Sequence, residues 1–314
     1  MAKSMAGKQK KKKKDRVTWA ICWKQRYLFL MSLPFVIWII IFKYIPLWGW
    51  TMAFQEVKPA TFALPIWERK FVGFDNFIRG FSDRLFKQTM INTIGISILQ
   101  LVVGTITAIT FAVLLNELVF TKYKKVVQTI SYLPHFVSWV IIASIAKNLF
   151  NDGGVIDTIF GTNLHLMSTN SPLIWVVIVI IECWKEMGWN AIIYLSAMAG
   201  VDQGLYEAAH IDGANRFRRI WHITLPGIRP TVIVLLIMNI GSVLGVGMER
   251  QMLLSNGLVQ DHTMVLSWFS YLRGIGSSDY GLGTAIGMFQ SAVGVTLLLL
   301  ANKVAGMVGE DRLV

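Results

Sequence analysis

The sequence predicts an all-α, polytopic membrane protein, and three observations support this fold class. Hydrophobic residues make up 54% of the 314-residue chain, whereas charged residues make up only 15%. Soluble domains carry roughly a quarter charged residues, so lipid rather than water is expected to solvate much of the surface. The mean hydropathy is +0.53. Six apolar runs are each long enough to cross a bilayer as a helix; they are residues 27–47, 91–115, 126–149, 172–199, 228–248 and 281–306.

A basic tail precedes the first run. Residues 1–26 hold ten lysines and arginines, including the unbroken run from Lys10 to Lys14. Basic residues beside a first span favour the cytoplasmic side and lie against anionic headgroups, which explains the tail better than nucleic-acid binding does. No small-residue cleavage site follows the first run, where Pro46 to Trp50 stand instead. We therefore expect an uncleaved first span rather than a signal peptide.

The positive-inside rule predicts that both termini are cytoplasmic. Nineteen of the thirty lysines and arginines fall on the cytoplasmic side in that arrangement, and most of the margin comes from the N-terminal tail. The basic clusters at 122–125 and 216–219 agree with this orientation, because both are placed on the cytoplasmic side. The segment 48–90, placed outside, contains both acidic and basic residues. The predicted organisation is a cytoplasmic tail, a six-span domain and a cytoplasmic C-terminal tail, at residues 1–26, 27–306 and 307–314.

Three segments between the spans are predicted to be external loops: 48–90, 150–171 and 249–280. The first contains the stretch from Gly73 to Phe77, whose aromatic residues suggest an interfacial turn or a short helix. Asn151 to Gly154 supply a turn signal in the second.

The cytoplasmic segment between spans 4 and 5, residues 200–227, is polar and basic. Asp202 is a good N-cap for a short helix, which the Asp212-Gly213 pair would end in a left-handed conformation. Asn215 would cap a second short helix, and Leu225-Pro226 would end the loop, since proline is accepted in the first turn of a span. Periodicity alone leaves two interpretations open: an interfacial elbow without a partner, or a handle for a soluble protein.

The spacing of three groups in this segment favours the handle. Glu207-Ala208-Ala209, Asp212-Gly213-Ala214 and Ile223-x-Leu225-Pro226 together resemble the cytoplasmic loop motif of binding-protein-dependent ABC transporter permeases. Further stretches resemble the sugar-importer branch of that family, and in particular permeases for complex-polysaccharide fragments, over about residues 25–305. Those stretches are Phe42–Pro46, Val72–Phe77, Asn92–Thr93, Tyr132–Trp139, Trp184–Trp189 and Ala301–Lys303. Many relatives have a proline where Asp202 stands, so the turn into the loop is expected to differ.

The resemblance implies the transmembrane-domain fold of a type I ABC importer and a coupling helix that docks in a groove on an ATPase subunit. Glu207 would be the charged contact, Ala208 and Ala209 would permit close approach, and Gly213 would set the bend. The full set of implied coupling residues is Glu207, Ala208, Ala209, Asp212, Gly213, Ala214, Leu225 and Pro226. The chain has no Gly-x-x-x-x-Gly-Lys-Ser/Thr loop to bind nucleotide phosphates, so ATP and Mg are expected in the partner ATPase and no cofactor is expected here.

The resemblance also implies the other subunits. A second, homologous permease would enclose the pathway with this chain, and two cytoplasmic ATPase subunits would drive it. An extracytoplasmic sugar-binding protein would deliver its cargo to the 48–90 and 249–280 loops.

Span 4 carries Glu182, Lys185 and Glu186, and charges inside a span are costly enough to be functional candidates. Glu182 and Lys185 are three residues apart and could pair, which would only fix span 4 against its neighbours. Alternatively, the span lines a sugar pathway, because sugars bind to aromatic faces, amides and hydroxyls, and Lys185 would suit an acidic sugar. The candidate pathway residues are Trp184, Lys185, Gly188, Trp189, Asn190 and Tyr194, with Asn239 and Ser242 added by the resemblance.

Other residues are given structural interpretations. His135, after Pro134, is expected to be a kink residue rather than a proton carrier, and Gly283 and Gly287 are expected to pack against the second permease. Cys22 and Cys183 indicate neither a disulfide nor a metal site.

No catalytic or metal-ligand constellation stands out, so we expect a multi-pass transport subunit of a bacterial cytoplasmic membrane and not an enzyme. A permease for a polyol or a phosphodiester, a secondary transporter and a membrane-embedded enzyme remain alternatives. A secondary transporter would require inverted repeats, and no repeat is evident by eye.

Overall fold

The computed structural model describes residues 23–161, 165–167 and 170–307. The predictions for the basic tail before Trp23 and for residues 308–314 therefore lie outside the described residues. Over the described ranges the chain is helical, and its only β-type pairing is an isolated antiparallel bridge between Gln55 and Phe71. The all-α prediction is confirmed.

The chain divides into two units at Trp50. The first contains most of helix α1 (Arg26–Phe54), which has a mean hydropathy of 2.2. This helix is regular over Arg26–Ile39, widens to a π-turn at Ile40–Tyr44 and tightens to 3-10 geometry over Ile45–Phe54. Pro46 has no N–H to donate to the carbonyl of Phe42, so the hydrogen-bond pattern must change near this point.

The second unit begins at Thr51 and contains thirteen α-helical segments within the described residues. They are α2 (Pro59–Phe62), α3 (Asp75–Phe81), α4 (Phe86–Asn116), α5 (Thr121–Phe136), α6 (Trp139–Phe150), α7 (Val155–Phe160), α8 (Ile174–Ala199), α9 (Gln203–Ile211), α10 (Arg216–Gly241), α11 (Met248–Leu254), α12 (Gln260–Thr263), α13 (Leu266–Tyr271) and α14 (Tyr280–Met307).

Four described helices are long and apolar enough to cross a membrane, namely α1, α4, α10 and α14. The bent pair Thr121–Phe136 and Trp139–Phe160 makes a fifth if it is counted as one span. Helix α8 has 26 residues, which is about 39 Å, but it carries three charged side chains. The total of six spans and the cytoplasmic location of both termini stay predictions.

The third predicted span, 126–149, is interrupted rather than continuous. Helix α5 ends at Phe136, Val137 is extended, and Ser138 caps the next helix by accepting a hydrogen bond from the N–H of Ile141 at 3.5 Å. The two halves are bent by 99°. Pro134, in the last turn of α5, lacks an N–H, so the sequence predicted a kink here but not a full break.

The fifth predicted span, 228–248, is shifted towards the N-terminus. Helix α10 begins at Arg216 and ends at Gly241, so the preceding loop does not end at Leu225-Pro226. The short helix predicted after Asn215 instead continues into the span through a π-turn at Ile220–Thr224. Because Pro226 cannot donate to the carbonyl of His222, a regular α-turn is unavailable at this point.

The segment 249–280, predicted to be an external loop, is a packed run of short helices. Leu254, Leu266 and Phe269 are fully buried and belong to the larger hydrophobic cluster, together with Ile96 of α4 and Ile178 of α8. The polar residues scattered through this segment obscured its apolar pattern.

Gly283 and Gly287 of α14 have different surroundings: Gly283 packs against this chain, whereas the space beside Gly287 is open. A Cβ on Gly283 would collide with the backbone of Gly274, in the π-turn that follows α13. Gly283 therefore packs within this chain, and the prediction that it contacts a second permease is wrong. Around Gly287 no heavy atom lies within 4 Å of a built Cβ.

Helix α3 and the turn after it are tied by ion pairs to the segment that precedes α14. Arg79 pairs with Asp279, and Arg273 pairs with Asp83 at 2.7 Å. The side chain of Asn76 donates to the carbonyl oxygens of Ala53 and Gln55 at 3.0 and 2.9 Å. This end of the second unit is consequently a connected block rather than a set of free loops.

One carboxyl group in this block has a shifted pKa. Glu56 accepts a hydrogen bond from Lys58 at 2.9 Å, and the Nζ of Lys70 lies 3.9 Å from Oε2 of Glu56. The hydrogen bond and charge of Lys58, followed by the charge of Lys70, hold the pKa of Glu56 below its usual value.

Candidate functional site

A cavity of about 610 Å³ opens between α4, α8, α10 and α11. Residues of α8 reach it at spacings of three and four, since such positions share one face of a helix. Its polar and aromatic wall residues are Ser97, Gln100, Thr105, Thr107, Trp139, Glu182, Glu186, Asn190, Tyr194, Asn239, Ser242, Glu249 and Arg250.

Four of the predicted pathway residues lie on this wall: Asn190, Tyr194, Asn239 and Ser242. The hydroxyl of Ser242 donates to the carbonyl of Asn239 at 3.0 Å, where α10 ends. The wall therefore combines side chains from two spans that the sequence analysis assigned to one site.

The other four predicted pathway residues lie away from the cavity wall. Lys185 is only 4% exposed and points at the break between α5 and α6. Trp189 stacks on the ring of His135 at a centroid distance of 4.4 Å. A Cβ on Gly188 would collide with the backbone of Ser131, and Trp184 is 51% exposed. Whether these four residues act in transport stays a prediction.

The ammonium group of Lys185 stabilises the broken helix. It donates to the carbonyl oxygens of Pro134 and Val137 at 3.2 and 3.1 Å, and also to that of His135. These carbonyls lie where α5 ends. That of Pro134 also accepts from the N–H of Val137 at 3.1 Å, whereas no further helical turn follows to supply donors to the other two. The charge in α8 therefore substitutes for the missing N–H groups.

The interpretation that Glu182 pairs with Lys185 is wrong. Glu182 instead forms an ion pair with Arg250 of α11 and accepts a hydrogen bond from Gln100 at 2.9 Å. Arg250 also donates to Gln100 at 3.0 Å and lies 5.7 Å from the ring of Trp139. Local spacing on one helix could not reveal a partner supplied by a different element.

His135 has a partner that the sequence analysis missed. Its Nδ1 lies 2.7 Å from Oε2 of Glu186, so a histidine and a carboxylate meet where the broken span crosses α8. The interpretation of His135 as a kink residue agrees with its place in the last turn of α5. Its proximity to Glu186 depends on how α5 and α8 cross, so nothing in the neighbouring sequence indicates it.

The second candidate feature is the segment from α9 to the start of α10, here called the coupling segment (residues 200–227). The carboxylate of Asp202 accepts a hydrogen bond from the N–H of Gly204 at 2.9 Å, as predicted for an N-cap. Asn215 caps the next helix by accepting from the N–H of Arg218 at 2.9 Å. Both predicted caps are confirmed.

The predicted bend at Gly213 is also confirmed. Gly213 has a φ of +72°, its N–H donates to the carbonyl of His210 at 3.1 Å, and the N–H of Ala214 donates to that of Ala209 at 2.9 Å. This pair of bonds is the Schellman motif, which needs a left-handed residue at the position of Gly213.

The implied coupling residues are largely accessible. Five are exposed, namely Glu207, Ala208, Asp212, Gly213 and Pro226, and three are half-buried, namely Ala209, Ala214 and Leu225. Large apolar side chains accompany them: Ile211 is 86% exposed, Phe217 82% and Trp221 69%.

The coupling segment is attached to the spans at both ends. The hydroxyl groups of Tyr206 in α9 and Thr224 in α10 lie 2.9 Å apart. Tyr206 also packs against a second hydrophobic cluster that includes Met198 and Ile228. At Gly227 a Cβ would lie 2.7 Å from the side chain of Val201. Helix α9 is therefore tied to the ends of α8 and α10.

Within the described ranges, no group of three or more His, Cys, Asp or Glu residues could hold a metal ion. The candidate features of the described chain are a polar cavity and an exposed, anchored segment.

Comparison with known proteins shows the family to which the chain belongs. Residues 100–305 match the family model described as a binding-protein-dependent transport system inner membrane component. The chain is 39% identical over 306 residues to the polygalacturonan/rhamnogalacturonan transport system permease protein YteP of Bacillus subtilis (strain 168), covering 96% of this chain and 94% of that protein. It is 40% identical to the protein LplB of the same organism, with coverages of 95% and 94%.

Two solved structures share the fold. The crystal structure of a bacterial ABC transporter involved in the import of the acidic polysaccharide alginate has a chain with a TM-score of 0.81 and 32% identity, covering 92% of this chain and 98% of that one. In the same kind of transporter complexed with an alginate pentasaccharide-bound periplasmic protein, the TM-score is 0.83 at 32% identity, with coverages of 94% and 99%. The chain therefore belongs to the binding-protein-dependent transport system inner membrane components: it is a multi-pass permease subunit of a bacterial ABC importer, located in the cytoplasmic membrane, and not itself an enzyme.

Proposed function

We propose that this chain forms half of the pathway through which an ABC importer carries an oligosaccharide across the membrane. The observation that carries this proposal is the cavity between α4, α8, α10 and α11. Its volume of about 610 Å³ lies in the range typical of sites that enclose small organic ligands, roughly 300–1,000 Å³.

The chemistry of the wall supports a hydroxyl-rich solute. Gln100, Asn190 and Asn239 supply amide groups that both donate and accept hydrogen bonds. Ring faces at Trp139 and Tyr194 can pack against the C–H surfaces of sugar rings. The relatives named for polygalacturonan/rhamnogalacturonan transport and alginate import also favour a carbohydrate.

The coupling segment is proposed to dock on a cytoplasmic ATPase subunit. Glu207 and Ala208 are exposed on α9, and Tyr206 ties the same helix to the span that follows. A small helix held in this way transmits rigid-body motion when its partner moves. A second permease would complete the pathway, and two ATPase subunits would supply the energy.

An extracytoplasmic binding protein is the third proposed partner. The segments 48–90 and 249–280 would receive it, and the ion pairs of Arg79 with Asp279 and of Arg273 with Asp83 would keep that surface rigid. The related alginate transporter complexed with a periplasmic protein supports such a partner.

Substitution of the wall amides tests the pathway. In the complete transporter reconstituted into proteoliposomes, we expect Asn190→Leu and Asn239→Leu each to lower oligosaccharide uptake by about tenfold or more. The reason is that an unpaired sugar hydroxyl loses roughly 1–3 kcal/mol, and about 1.4 kcal/mol is tenfold.

The matched control is Asn148→Leu, since Asn148 is exposed on α6 and is not part of the wall. Undiminished uptake by the Asn190→Leu, Asn239→Leu double variant would contradict the proposal, as would an equal loss in Asn148→Leu.

A further inference from the structure

The charges on the cavity wall restrict which oligosaccharides can pass, an inference that rests on the proposed function. The lining residues include three carboxylates, Glu182, Glu186 and Glu249, and a single cation, Arg250. A substrate with its own carboxylates needs cations that are free to pair with it, so the availability of each positive charge decides the question.

The guanidinium group of Arg250 already has a carboxylate partner. It forms the ion pair with Glu182, donates to Gln100 at 3.0 Å and lies over the ring of Trp139. Arg250 is 5% exposed, and its Nε is buried and has no hydrogen-bond partner among the described residues, so a substrate cannot reach this nitrogen without a rearrangement. A substrate carboxylate could reach this cation only by displacing Glu182, which would leave a largely buried carboxylate without its cation.

The next cation, Lys185, is turned away from the cavity. Its ammonium group donates hydrogen bonds to the carbonyl oxygens of Pro134, His135 and Val137. It also lies 3.7 Å from the carboxylate of Glu186, which partly compensates that wall charge. The earlier expectation that Lys185 would suit an acidic sugar therefore loses its basis.

The third carboxylate has no such compensation. Glu249, in the first turn of α11, is exposed on the cavity wall. It has no hydrogen bond or ion pair with any residue in the part of the chain that the structure describes. Each of the two nearby cations thus already has a carboxylate, and one carboxylate is left over.

We propose that this half of the pathway selects uncharged oligosaccharides and rejects those that carry carboxylate or phosphate groups. A uronate entering the cavity would lose water, would find no cation without a carboxylate partner among the described wall residues, and would approach Glu249. Both the loss of water and the approach to a like charge are unfavourable. The same reasoning disfavours a phosphodiester. The proposed substrate class differs from the acidic polysaccharide alginate named for the related transporter and from the polygalacturonan, also a polyuronate, named for the relative YteP.

The test compares substrates that differ only in charge. Uptake by the complete reconstituted transporter is measured for oligogalacturonides with free carboxylates, for their methyl esters and for neutral galactose oligosaccharides of the same length and linkage. We expect the wild type to favour the neutral member of each pair by at least about tenfold, equivalent to about 1.4 kcal/mol.

Variants of Glu249 separate the permease from the binding protein, because only the permease changes. Glu249→Gln is expected to lower the preference for neutral substrates at least about threefold, and Glu249→Lys should lower it further, since each removes like-charge repulsion. The control Glu117→Gln removes a carboxylate at the end of α4, away from the cavity wall, and should leave the preference unchanged.

Equal or faster uptake of the charged member by the wild type would overturn this inference while leaving the proposed function intact. A preference that is the same in both Glu249 variants as in the wild type would also overturn it. If neither the charged nor the neutral oligosaccharides were taken up, the proposed function would be contradicted, and this inference would be contradicted with it.

Discussion

The ammonium group of Lys185 lies against three carbonyl oxygens at the end of α5, where a helix stops in the middle of a predicted span. Carbonyl groups that lose their helical partners in an apolar environment must find other donors. A lysine from a neighbouring helix supplies three N–H groups on one atom. A charge that the sequence marks as a substrate contact can therefore have a structural role.

Replacement of Lys185 by methionine should destabilise the chain by about 2–3 kcal/mol, because hydrogen bonds to charged groups contribute about 1.5–3 kcal/mol and unpaired carbonyls remain. The measurement is thermal unfolding of the purified protein in detergent. Lys303→Met is the control, since Lys303 is exposed on α14. Equal unfolding midpoints for the two variants would show that the carbonyl contacts contribute nothing.

Residue-level predictions succeeded where a residue acts on its own neighbours. Asp202, Gly213 and Asn215 were identified correctly because caps and turns involve atoms within a few positions. The pairing of Glu182 with Arg250 could not be found in this way, because the partner comes from a distant part of the chain.

At the level of elements, the coupling segment depends on one backbone conformation. Gly213 has a φ of +72°, and its environment is open, with no heavy atom within 4 Å of a built Cβ. A substitution there acts through the backbone alone and not through a steric collision. This makes the turn between α9 and α10 a clean target for changing the geometry of the segment.

Gly213→Val should uncouple transport from ATP hydrolysis, because a β-branched residue strongly disfavours positive φ. Gly213→Asn should retain most coupling, since asparagine tolerates this conformation. The measurement is the ratio of oligosaccharide uptake to ATP hydrolysed in the reconstituted transporter, expected to fall about tenfold for valine. If the valine and asparagine variants gave the same ratio as the wild type, the turn would have no part in coupling.

The elements that were predicted poorly share a physical cause. The break at Val137 depends on donors from α8, and the helices within 249–280 are held by burial of Leu254, Leu266 and Phe269 in the common core. Tertiary contacts of this kind override local pattern. The long apolar helices α4 and α14 were predicted well because hydrophobic length alone defines them.

For the whole molecule, the fold class and the family could be predicted from the sequence, whereas the form of the cavity could not. Asn190 and Tyr194 were expected to line a pathway because sugars bind to amide groups and aromatic faces. Gln100, Glu249 and Arg250 were missed because their place on the wall depends on how α4 and α11 pack against α8. The charges on the cavity wall could therefore be identified only from the structure.

The proposed assembly places the energy source in a separate subunit and the pathway between two permeases. Its coupling segment is exposed through Glu207 and Ala208 and anchored through Tyr206, an arrangement suited to transmitting force. A secondary transporter would instead use a proton or ion gradient at charges within its own spans.

Uptake of a labelled oligosaccharide into proteoliposomes containing the complete transporter, with ATP supplied to the coupling-segment side, tests this account most directly. The predicted result is uptake that requires ATP and the binding protein and is unaffected by collapse of the proton gradient. It should fall about tenfold in Glu207→Ala while ATP hydrolysis continues. Uptake that proceeds without ATP and follows an imposed proton gradient would contradict the account.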